Sequence, residues 1–593
     1  MTVSDPTRAP RTGRHRWLAP LGLAALLGAL FFFRLGDDLP FRTHEALLAV
    51  SARNMVLDRP VQLADGSRPS PYLVPNFNDE PRLRKTPLPY WMAAGAAQLT
   101  GRLDEWSARL PSALSALGTV LILTVLLGHW CDRRTAFLGG AALATSVGFL
   151  ILARSAMADM PLTLFITASL AALWMGVEAG GRRRFAWFTL AGAAAGLAVL
   201  AKGPACFPTF PAPYLVAAGI VVARLLRPRR PEETGRAEWA WTLGGAALAT
   251  VVFLAIALPW PTYVALRVPG AVAIWRAESV GRAAGELGRE EPFWFYWPRL
   301  LALVAPWTLF FLCGLVLAVR RARRSPPDRL WLLFVGAWLL GSLLAFSLAA
   351  GKQDHYILPI FPAAAVYTAL AMRHFLAPAP PRADGRGLLI VHGAAAFLVG
   401  AIGPLAYILW RASPTSLVAL GVPATLAVPA VLVPAAVLGV LGIAGGLAAL
   451  VLATRRRLVA GQVVLFATFA AAFLWAWPTL VGPMARATTA AQFARQVRRI
   501  VPPDAPLFTF IEPHHSVVYY VERPLPVLRS TKDIRDRISQ GEPFFLFCDE
   551  KEPGEIQPVL RDVPALTPVL RMTNPYRPGE TFWLFHWPAD PKP

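Results

Sequence analysis

The densest group of chemically active side chains lies within residues 41–110, ahead of a long series of apolar runs. An imidazole and a carboxylate are adjacent at His44 and Glu45, and either could act as a general base towards a hydroxyl group. Alternatively, the carboxylate could simply open a helix, because a negative charge near a helix N-terminus interacts favourably with the helix dipole. Both interpretations predict a short helix over residues 45–57.

A cationic group follows in the same segment. Arg82, Arg84 and Lys85 directly precede a second short apolar helix predicted over residues 89–99. Guanidinium and ammonium groups at a membrane surface suit a phosphate or an anionic headgroup. Anchoring to lipid headgroups is the simpler alternative, although basic clusters are uncommon on the outer side of membranes.

Charged residues also interrupt the later apolar runs, where they are costly unless they face a cavity or one another. Arg154 and Asp159 are close enough in sequence to pair, whereas Lys202 could extend to the membrane interface. Glu278 and Arg282 have the i,i+4 spacing typical of a solvated helix face. A compact polar cluster completes the set of candidates: Lys352, Asp354, His355 and Tyr356.

The elements that must position these residues are membrane helices. The chain has 593 residues, of which 55% are hydrophobic and 16% are charged, and about 20 apolar residues suffice to cross a bilayer. Apolar runs predict about 13 spans, at residues 17–34, 107–129, 135–153, 160–179, 185–201, 206–224, 239–262, 294–319, 330–350, 357–376, 387–411, 424–453 and 459–481.

The arginine clusters between these runs fall on one side if the spans alternate, which explains the net charge of +22 as a topology signal. The N-terminus is then cytoplasmic, and the first outer loop, residues 35–106, faces the other side. The two short helices of this loop are predicted to lie at the membrane interface. No basic-aromatic module typical of nucleic-acid binding is present.

Residues 482–593 have a soluble composition and follow a transmembrane domain over residues 1–481. The runs LFTFIE, SVVYYVE and PFFLFCDE are typical of strands, and two other segments have helical patterns. We predict a small outer α/β domain. The four cysteines have no metal-ligand spacing. The adjacent histidines His514 and His515 could bind a metal, but an isolated pair is more typical of a structural or surface role.

Seven motifs occur in a recognisable order. They are HE, RLRKTPLPYW, DEWSARLPSAL, ARSAMADMPL, GLAVLAKGP, PFWFYW and FSLAAGKQDHYILP. In this order the chain resembles the GT-C membrane glycosyltransferases that include the protein O-mannosyltransferases and the bacterial lipid A aminoarabinose transferases. The resemblance covers about residues 15–375, and it implies the GT-C fold and a polyprenyl-phosphate sugar donor.

The resemblance also implies residue roles. The first position of the family's acidic pair supplies the catalytic carboxylate, and here that position is His44, so the base could be His44, Glu45 or Asp159. Lys85 matches the family's lysine that contacts the carrier phosphate, with Arg84 in place of the usual glutamate. Two further matches are Arg282 and Tyr356, which with Lys85 would stabilise the leaving phosphate.

Six other residues are candidates for binding substrate: Arg82, Arg84, Arg154, Lys202, Lys352 and His355. The predicted protein is an inverting glycosyltransferase of a bacterial inner membrane, acting on a lipid, glycan or protein acceptor at the periplasmic side, among membrane lipids. No cofactor is required by the pattern, although a divalent metal could take part. The alternatives are a transporter or flippase for a lipid-linked substrate and a catalytically inactive lipid-binding homologue.

Overall fold

The structure is a computed structural model that describes residues 18–36, 39–226, 234–286, 290–375, 385–413, 415–488, 490–550, 557–564, 566–574 and 577–588. The basic N-terminal cluster on which the predicted cytoplasmic N-terminus depends lies outside these residues. Nine helices of the described segments are long and apolar enough to cross a membrane, and two bent pairs raise that number to 11.

The first half of the chain places helices at the predicted positions. These are α1 (Leu18–Phe32), α2 (Thr43–Val56), α3 (Leu88–Thr100), α4 (Glu105–Trp130), α5 (Arg133–Ala144), α6 (Val147–Ala153), α7 (Asp159–Glu178), α8 (Gly181–Lys202), α9 (Pro211–Leu226) and α10 (Thr234–Ala257). A two-stranded hairpin, β1 (Asn76–Phe77) with β2 (Glu80–Pro81), lies between α2 and α3. Two further predicted spans correspond to α1 and α9, which are apolar but shorter than the nine candidate membrane helices.

The second half continues the bundle. Its helices are α11 (Pro259–Arg267), α12 (Ala271–Arg276), α13 (Arg282–Ala284), α14 (Tyr296–Leu303), α15 (Thr308–Arg324), α16 (Pro326–Gly336), α17 (Ser342–Leu348), α18 (Phe361–Phe375), α19 (Arg386–Ala412), α20 (Ser416–Ala419), α21 (Pro429–Thr454), α22 (Leu458–Ala476) and α23 (Gly482–Thr488). Each of the 13 predicted apolar runs therefore carries helix, and the chain is a polytopic helical membrane protein.

Local sequence explains where several of these helices begin and bend. The carboxylate of Asp104 accepts a hydrogen bond from the Ser107 N–H and caps α4, and Asp132 caps α5 in the same way. The span made of α5 and α6 bends by 67°, and the span from Phe293 to Arg324 bends by 111°.

The two short helices predicted in the first outer loop are confirmed as α2 and α3. Ten of the 14 residues of α2 are buried, so this helix is enclosed by protein. One side of α2 packs against α3, and another packs against a helix of the C-terminal region. Helix α2 is therefore held between α3 and the C-terminal region.

The C-terminal region forms a small α/β domain. Its elements are α24 (Ala490–Ile500), β3 (Leu507–Phe510), α25 (His515–Val521), β4 (Val527–Leu528), α26 (Thr531–Ser539), β5 (Phe544–Glu550), α27 (Gln557–Asp562), β6 (Thr567–Asn574) and β7 (Arg577–Trp587). The five strands form one mixed sheet in the order β4-β3-β5-β7-β6. Strand β3 is parallel to β4 and β5, whereas β7 is antiparallel to both β5 and β6.

One secondary-structure prediction for this domain is wrong. The run SVVYYVE is the helix α25 and not a strand, despite its β-branched and aromatic residues. Six consecutive residues of this helix are buried, including Val517 and Tyr520, because it packs between α2 and α24. Tertiary burial on all sides outweighs the weak intrinsic preference for a strand.

Candidate active site

A polar cavity of about 230 Å³ opens at the end of the bundle where α7 begins and α8 ends. Nine of the twelve residues proposed from the sequence line it: His44, Arg82, Arg84, Lys85, Asp159, Lys202, Arg282, His355 and Tyr356. They come from six separate segments of the chain. Their convergence places these nine residues at one end of the bundle, as the alternation of apolar runs predicted.

One wall of the cavity holds a carboxylate among three cations. Glu278 Oε2 lies 3.0 Å from Arg282 Nη2 and 3.8 Å from Lys85 Nζ, while Glu278 Oε1 lies 3.7 Å from Arg84 Nε. The Glu278 side chain is only 12% exposed. The i,i+4 pair with Arg282 exists as predicted, but the solvated helix face does not.

The backbone explains why Glu278 faces inwards. Residues Ala277–Gly281 form a π-helical turn between α12 and α13. One extra residue in a turn rotates the following side chains relative to an ideal α-helix, and such turns are frequent at functional sites. A pattern based on 3.6 residues per turn cannot detect this rotation.

A second buried ion pair forms the floor of the cavity. Lys202 Nζ lies 2.5 Å from Asp159 Oδ1, and both side chains are almost fully buried. His355 Nε2 is 3.9 Å from the same carboxylate oxygen, and the Lys202 ammonium lies 4.6 Å from the centre of the Tyr356 ring. Asp159 therefore pairs with Lys202 and not with Arg154, the partner proposed from sequence spacing.

His44 projects from the first turn of α2 into the same space. Burial and then the positive charge of Lys85 lower the pKa of His44 below its ordinary value, although the negative charge of Asp159 opposes them. The imidazole is therefore neutral near pH 7 and can accept a proton. This is the protonation state that a general base requires.

Glu45, the neighbour of His44, does not line this cavity but lies on the wall of a larger neighbouring cavity. Arg109 binds its carboxylate with two hydrogen bonds, Nε to Oε1 at 2.8 Å and Nη2 to Oε2 at 3.1 Å. The N–H groups of Ala156 and Arg42 donate to the same carboxylate. Burial alone would raise the pKa of Glu45, but Arg109 and these N–H groups hold that pKa below its usual value.

This arrangement gives Glu45 a structural role. A carboxylate with four donors and a lowered pKa is a poor proton acceptor. Glu45 anchors the start of α2 to α4 through Arg109, and it satisfies the N–H of Arg42 at the helix N-terminus. Of the three candidate bases, His44 has the most suitable surroundings.

Two residues proposed for substrate binding lie elsewhere. Arg154 donates to the carbonyl oxygens of Leu30 and Phe33, each at 2.8 Å, and its guanidinium lies 4.2 Å from the Trp477 ring centre. Lys352 donates to the carbonyl oxygen of Glu291 at 2.6 Å. Both side chains support local backbone, and neither lines the polar cavity.

A second cavity of about 600 Å³ adjoins the first. The two share His44, Met157, Gln353 and His355 on their walls. The larger one is also lined by Phe295. His44 therefore lies at the boundary between the smaller cavity, which is lined by cationic side chains, and the larger cavity. A transfer from a donor in one cavity to an acceptor in the other would need this geometry.

The C-terminal domain completes the cavity. His515, at the start of α25, is part of the cavity wall, although its sequence context favoured a structural or surface role. Nearby, the Phe41 N–H donates to the Tyr520 hydroxyl at 2.8 Å, and that hydroxyl donates to Glu105 at 2.7 Å. Nothing in the local sequence around His515 and Tyr520 indicates that this helix packs against the first outer loop, because the loop residues lie hundreds of positions earlier in the chain.

Within the described residues no group of three or more histidine, cysteine, aspartate or glutamate side chains has the geometry of a metal site. The involvement of a divalent metal remains a prediction from the sequence.

Lys85 makes the cationic wall sensitive to pH. Burial, and then the charge of Lys202, lowers the pKa of Lys85 to about 8. The ammonium form, present below this pKa, attracts a phosphate, and the neutral form above it does not. The affinity of the cavity for a phosphate should therefore fall by up to about tenfold between about pH 7 and about pH 9. Displacement of a fluorescent lipid phosphate measures this change.

The matched variant for this measurement is Lys85→Arg, which stays charged throughout that pH range. The alkaline loss of affinity should disappear in Lys85→Arg. An equal loss in both proteins would assign the effect to another group.

Parts of the chain are similar in sequence to known proteins. A sequence model of the dolichyl-phosphate-mannose-protein mannosyltransferase family matches residues 71–276. An undecaprenyl phosphate-alpha-4-amino-4-deoxy-L-arabinose arabinosyl transferase of Pseudomonas paraeruginosa is 35% identical over 318 residues, which are 51% of this chain and 52% of that protein. The matching enzyme of Pseudomonas aeruginosa strain PAO1 is 34% identical over 46% of each chain. The chain thus spans about half the length of these relatives.

Solved structures extend the likeness to the whole chain. ArnT from Cupriavidus metallidurans bound to undecaprenyl phosphate superposes with a TM-score of 0.74 at 21% identity, covering 98% of this chain and 99% of that one. The apo state of the same protein gives a TM-score of 0.72. The chain therefore has the GT-C fold and is related in sequence to the membrane glycosyltransferases that carry it, as the order of its motifs predicted.

Proposed function

We propose that this chain is a membrane glycosyltransferase that takes a sugar from a polyprenyl-phosphate carrier and transfers it to an acceptor outside the cytoplasm. The observation that carries the proposal is the convergence of Lys85, Arg282 and Tyr356 on one cavity at one end of the bundle. Two cations and a hydroxyl group can bind a phosphate and stabilise the charge that it gains as it leaves.

The reaction is a displacement at the anomeric carbon of the sugar. An acceptor hydroxyl entering from the larger cavity forms the new carbon–oxygen bond, and the bond between the sugar and the carrier phosphate breaks. The carrier phosphate leaves with one more negative charge, next to Lys85 and Arg282. Attack from the side opposite to the phosphate inverts the configuration of the sugar.

His44 is the proposed general base. It lies between the two cavities and takes the proton of the acceptor hydroxyl as the new bond forms. Asp159, which raises the proton affinity of His44 through its negative charge, stabilises the resulting imidazolium. Asp159 itself is occupied by Lys202, so its role is positioning and electrostatic.

The acceptor is a lipid, glycan or protein at the periplasmic face of a bacterial inner membrane. Arginine clusters at residues 133–134, 182–184, 320–324 and 455–457 follow or precede helices at the end opposite to the cavity, which supports a cytoplasmic position for that end. The C-terminal domain packs at the cavity end and is therefore periplasmic in this proposal.

The test is a transfer assay in nanodiscs. Radiolabelled polyprenyl-phosphate sugars are supplied with a membrane extract, and label should move to a new product. Lys85→Ala and Arg282→Ala should each lower kcat/KM by about 10²–10³-fold. The exposed arginine of the same loop, Arg68, provides the control Arg68→Ala, which should keep wild-type activity.

Two results would contradict the proposal. Donor binding without transfer of label from any sugar would favour an inactive lipid-binding homologue. Movement of intact donor across the nanodisc or vesicle membrane, without a new product, would favour a transporter.

A further inference from the structure

The charge balance of the cavity bears on which sugar it accepts. Two carboxylates, Asp159 and Glu278, line the cavity together with five cationic side chains: Arg82, Arg84, Lys85, Lys202 and Arg282. A carrier phosphate joined to a sugar brings one negative charge. This cavity therefore keeps an excess of positive charge when the carrier phosphate occupies it.

Neither carboxylate is free to bind a cationic substrate group. Asp159 Oδ1 is 2.5 Å from Lys202 Nζ. Both oxygens of Glu278 lie within 4 Å of a cation, since Arg282 and Lys85 face one oxygen and Arg84 faces the other. An ammonium group on the sugar would have to displace one of these protein cations.

The cavity instead offers hydrogen-bond donors. Its five cationic side chains carry guanidinium and ammonium N–H groups, which donate and do not accept hydrogen bonds. Sugar hydroxyl and carboxylate oxygens accept hydrogen bonds, whereas an ammonium group has only donors to offer.

We propose that the donor sugar of this protein carries no ammonium group and is a neutral or acidic sugar. The inference rests on the proposed function and specifies its substrate class. It distinguishes this chain from its matched relatives, whose names specify 4-amino-4-deoxy-L-arabinose. The N–H groups of the cationic side chains that line the cavity donate to hydroxyl or carboxylate oxygens of the sugar, and the surplus positive charge repels an amino sugar.

The decisive comparison uses two donors that differ at one position. Undecaprenyl-phosphate arabinose and undecaprenyl-phosphate 4-amino-4-deoxyarabinose are supplied separately to the protein in nanodiscs near pH 7, with an undecaprenyl-phosphate uronic acid as a third donor. The neutral pentose should have a kcat/KM about 10- to 100-fold above that of the amino sugar. Equal use of both, or preference for the amino sugar, overturns the inference.

A charge reversal provides the matched variant. Arg84→Glu adds an acidic side chain beside Lys85, and it should reduce the discrimination between the two pentoses by about tenfold. Arg68→Glu makes the same change on an exposed part of the loop and should leave the discrimination at its wild-type value. Unchanged discrimination in Arg84→Glu would show that cavity charge does not select the sugar.

Failure of the inference differs from failure of the proposed function. Transfer that favours the amino sugar refutes only the inference. If no donor yields a labelled product, and the three donors fail to displace a fluorescent polyprenyl phosphate, the proposed function falls together with the inference.

Discussion

Replacing His44 by alanine should lower kcat for sugar transfer by about 10²–10⁴-fold, the usual contribution of a general base. The KM for the donor should change little, because the proposed phosphate-binding residues Lys85 and Arg282 lie on another wall of the cavity. Steady-state kinetics with saturating acceptor separate these two effects. A fall in kcat with constant KM identifies a group that acts in the transition state.

The matched variant is His44→Asp, which introduces the carboxylate that the family resemblance implies at this position. It supplies a base of lower pKa and should recover part of the lost rate. In the wild type, kcat/KM should rise with pH through a pKa below the usual 6.5 of histidine, because the base must be deprotonated and its pKa is lowered.

In His44→Asp this rise should shift to still lower pH. An identical acidic limb in the two proteins would mean that a different group takes the proton. Full activity of His44→Ala would also exclude His44 as the base.

Replacing Glu45 by glutamine should destabilise the protein by about 3–5 kcal/mol. The neutral amide leaves the Arg109 guanidinium buried without its counter-charge, since both side chains are about 5% exposed or less. The start of α2 would also lose its connection to α4. Thermal unfolding in detergent, followed by helical circular dichroism or by loss of donor binding, measures the change.

The double variant Glu45→Leu, Arg109→Met tests the cause. Replacing both members of a buried ion pair by apolar residues of similar size removes the uncompensated charge and should restore much of the stability. If Glu45→Gln kept wild-type stability and lost only kcat, Glu45 would be the base and His44 would not.

The positions of the apolar helices could be predicted from sequence because a bilayer imposes a length on each apolar run. Of the 13 predicted runs, nine to 11 are long and apolar enough to cross a membrane within the described residues. The alternation of spans then placed His44, Lys85, Lys202 and Tyr356 on one face, and the structure brings them into one cavity. This inference needed no knowledge of helix packing. It also grouped Arg154 and Lys352 with the site, although their side chains turn towards backbone carbonyl oxygens.

Individual pairings could not be predicted in this way. Glu45 and Arg109 are separated by 64 residues, and either could have faced the cavity. The inward position of Glu278 depends on a π-helical turn, and that of His515 depends on how a distant domain docks. Such details follow from tertiary packing, which periodicity within a single segment does not encode.

The hydrogen bond between Phe41 and Tyr520 joins residues 479 positions apart. At usual rates of protein synthesis, a ribosome needs about half a minute to a minute and a half to make the chain between them. During this interval the membrane insertion machinery already holds the first spans, while the segment carrying His515 has not been made. Under the proposed function and orientation, sugar transfer would begin only after the final domain has crossed the bilayer and folded, so a half-synthesised chain would not consume the carrier lipid.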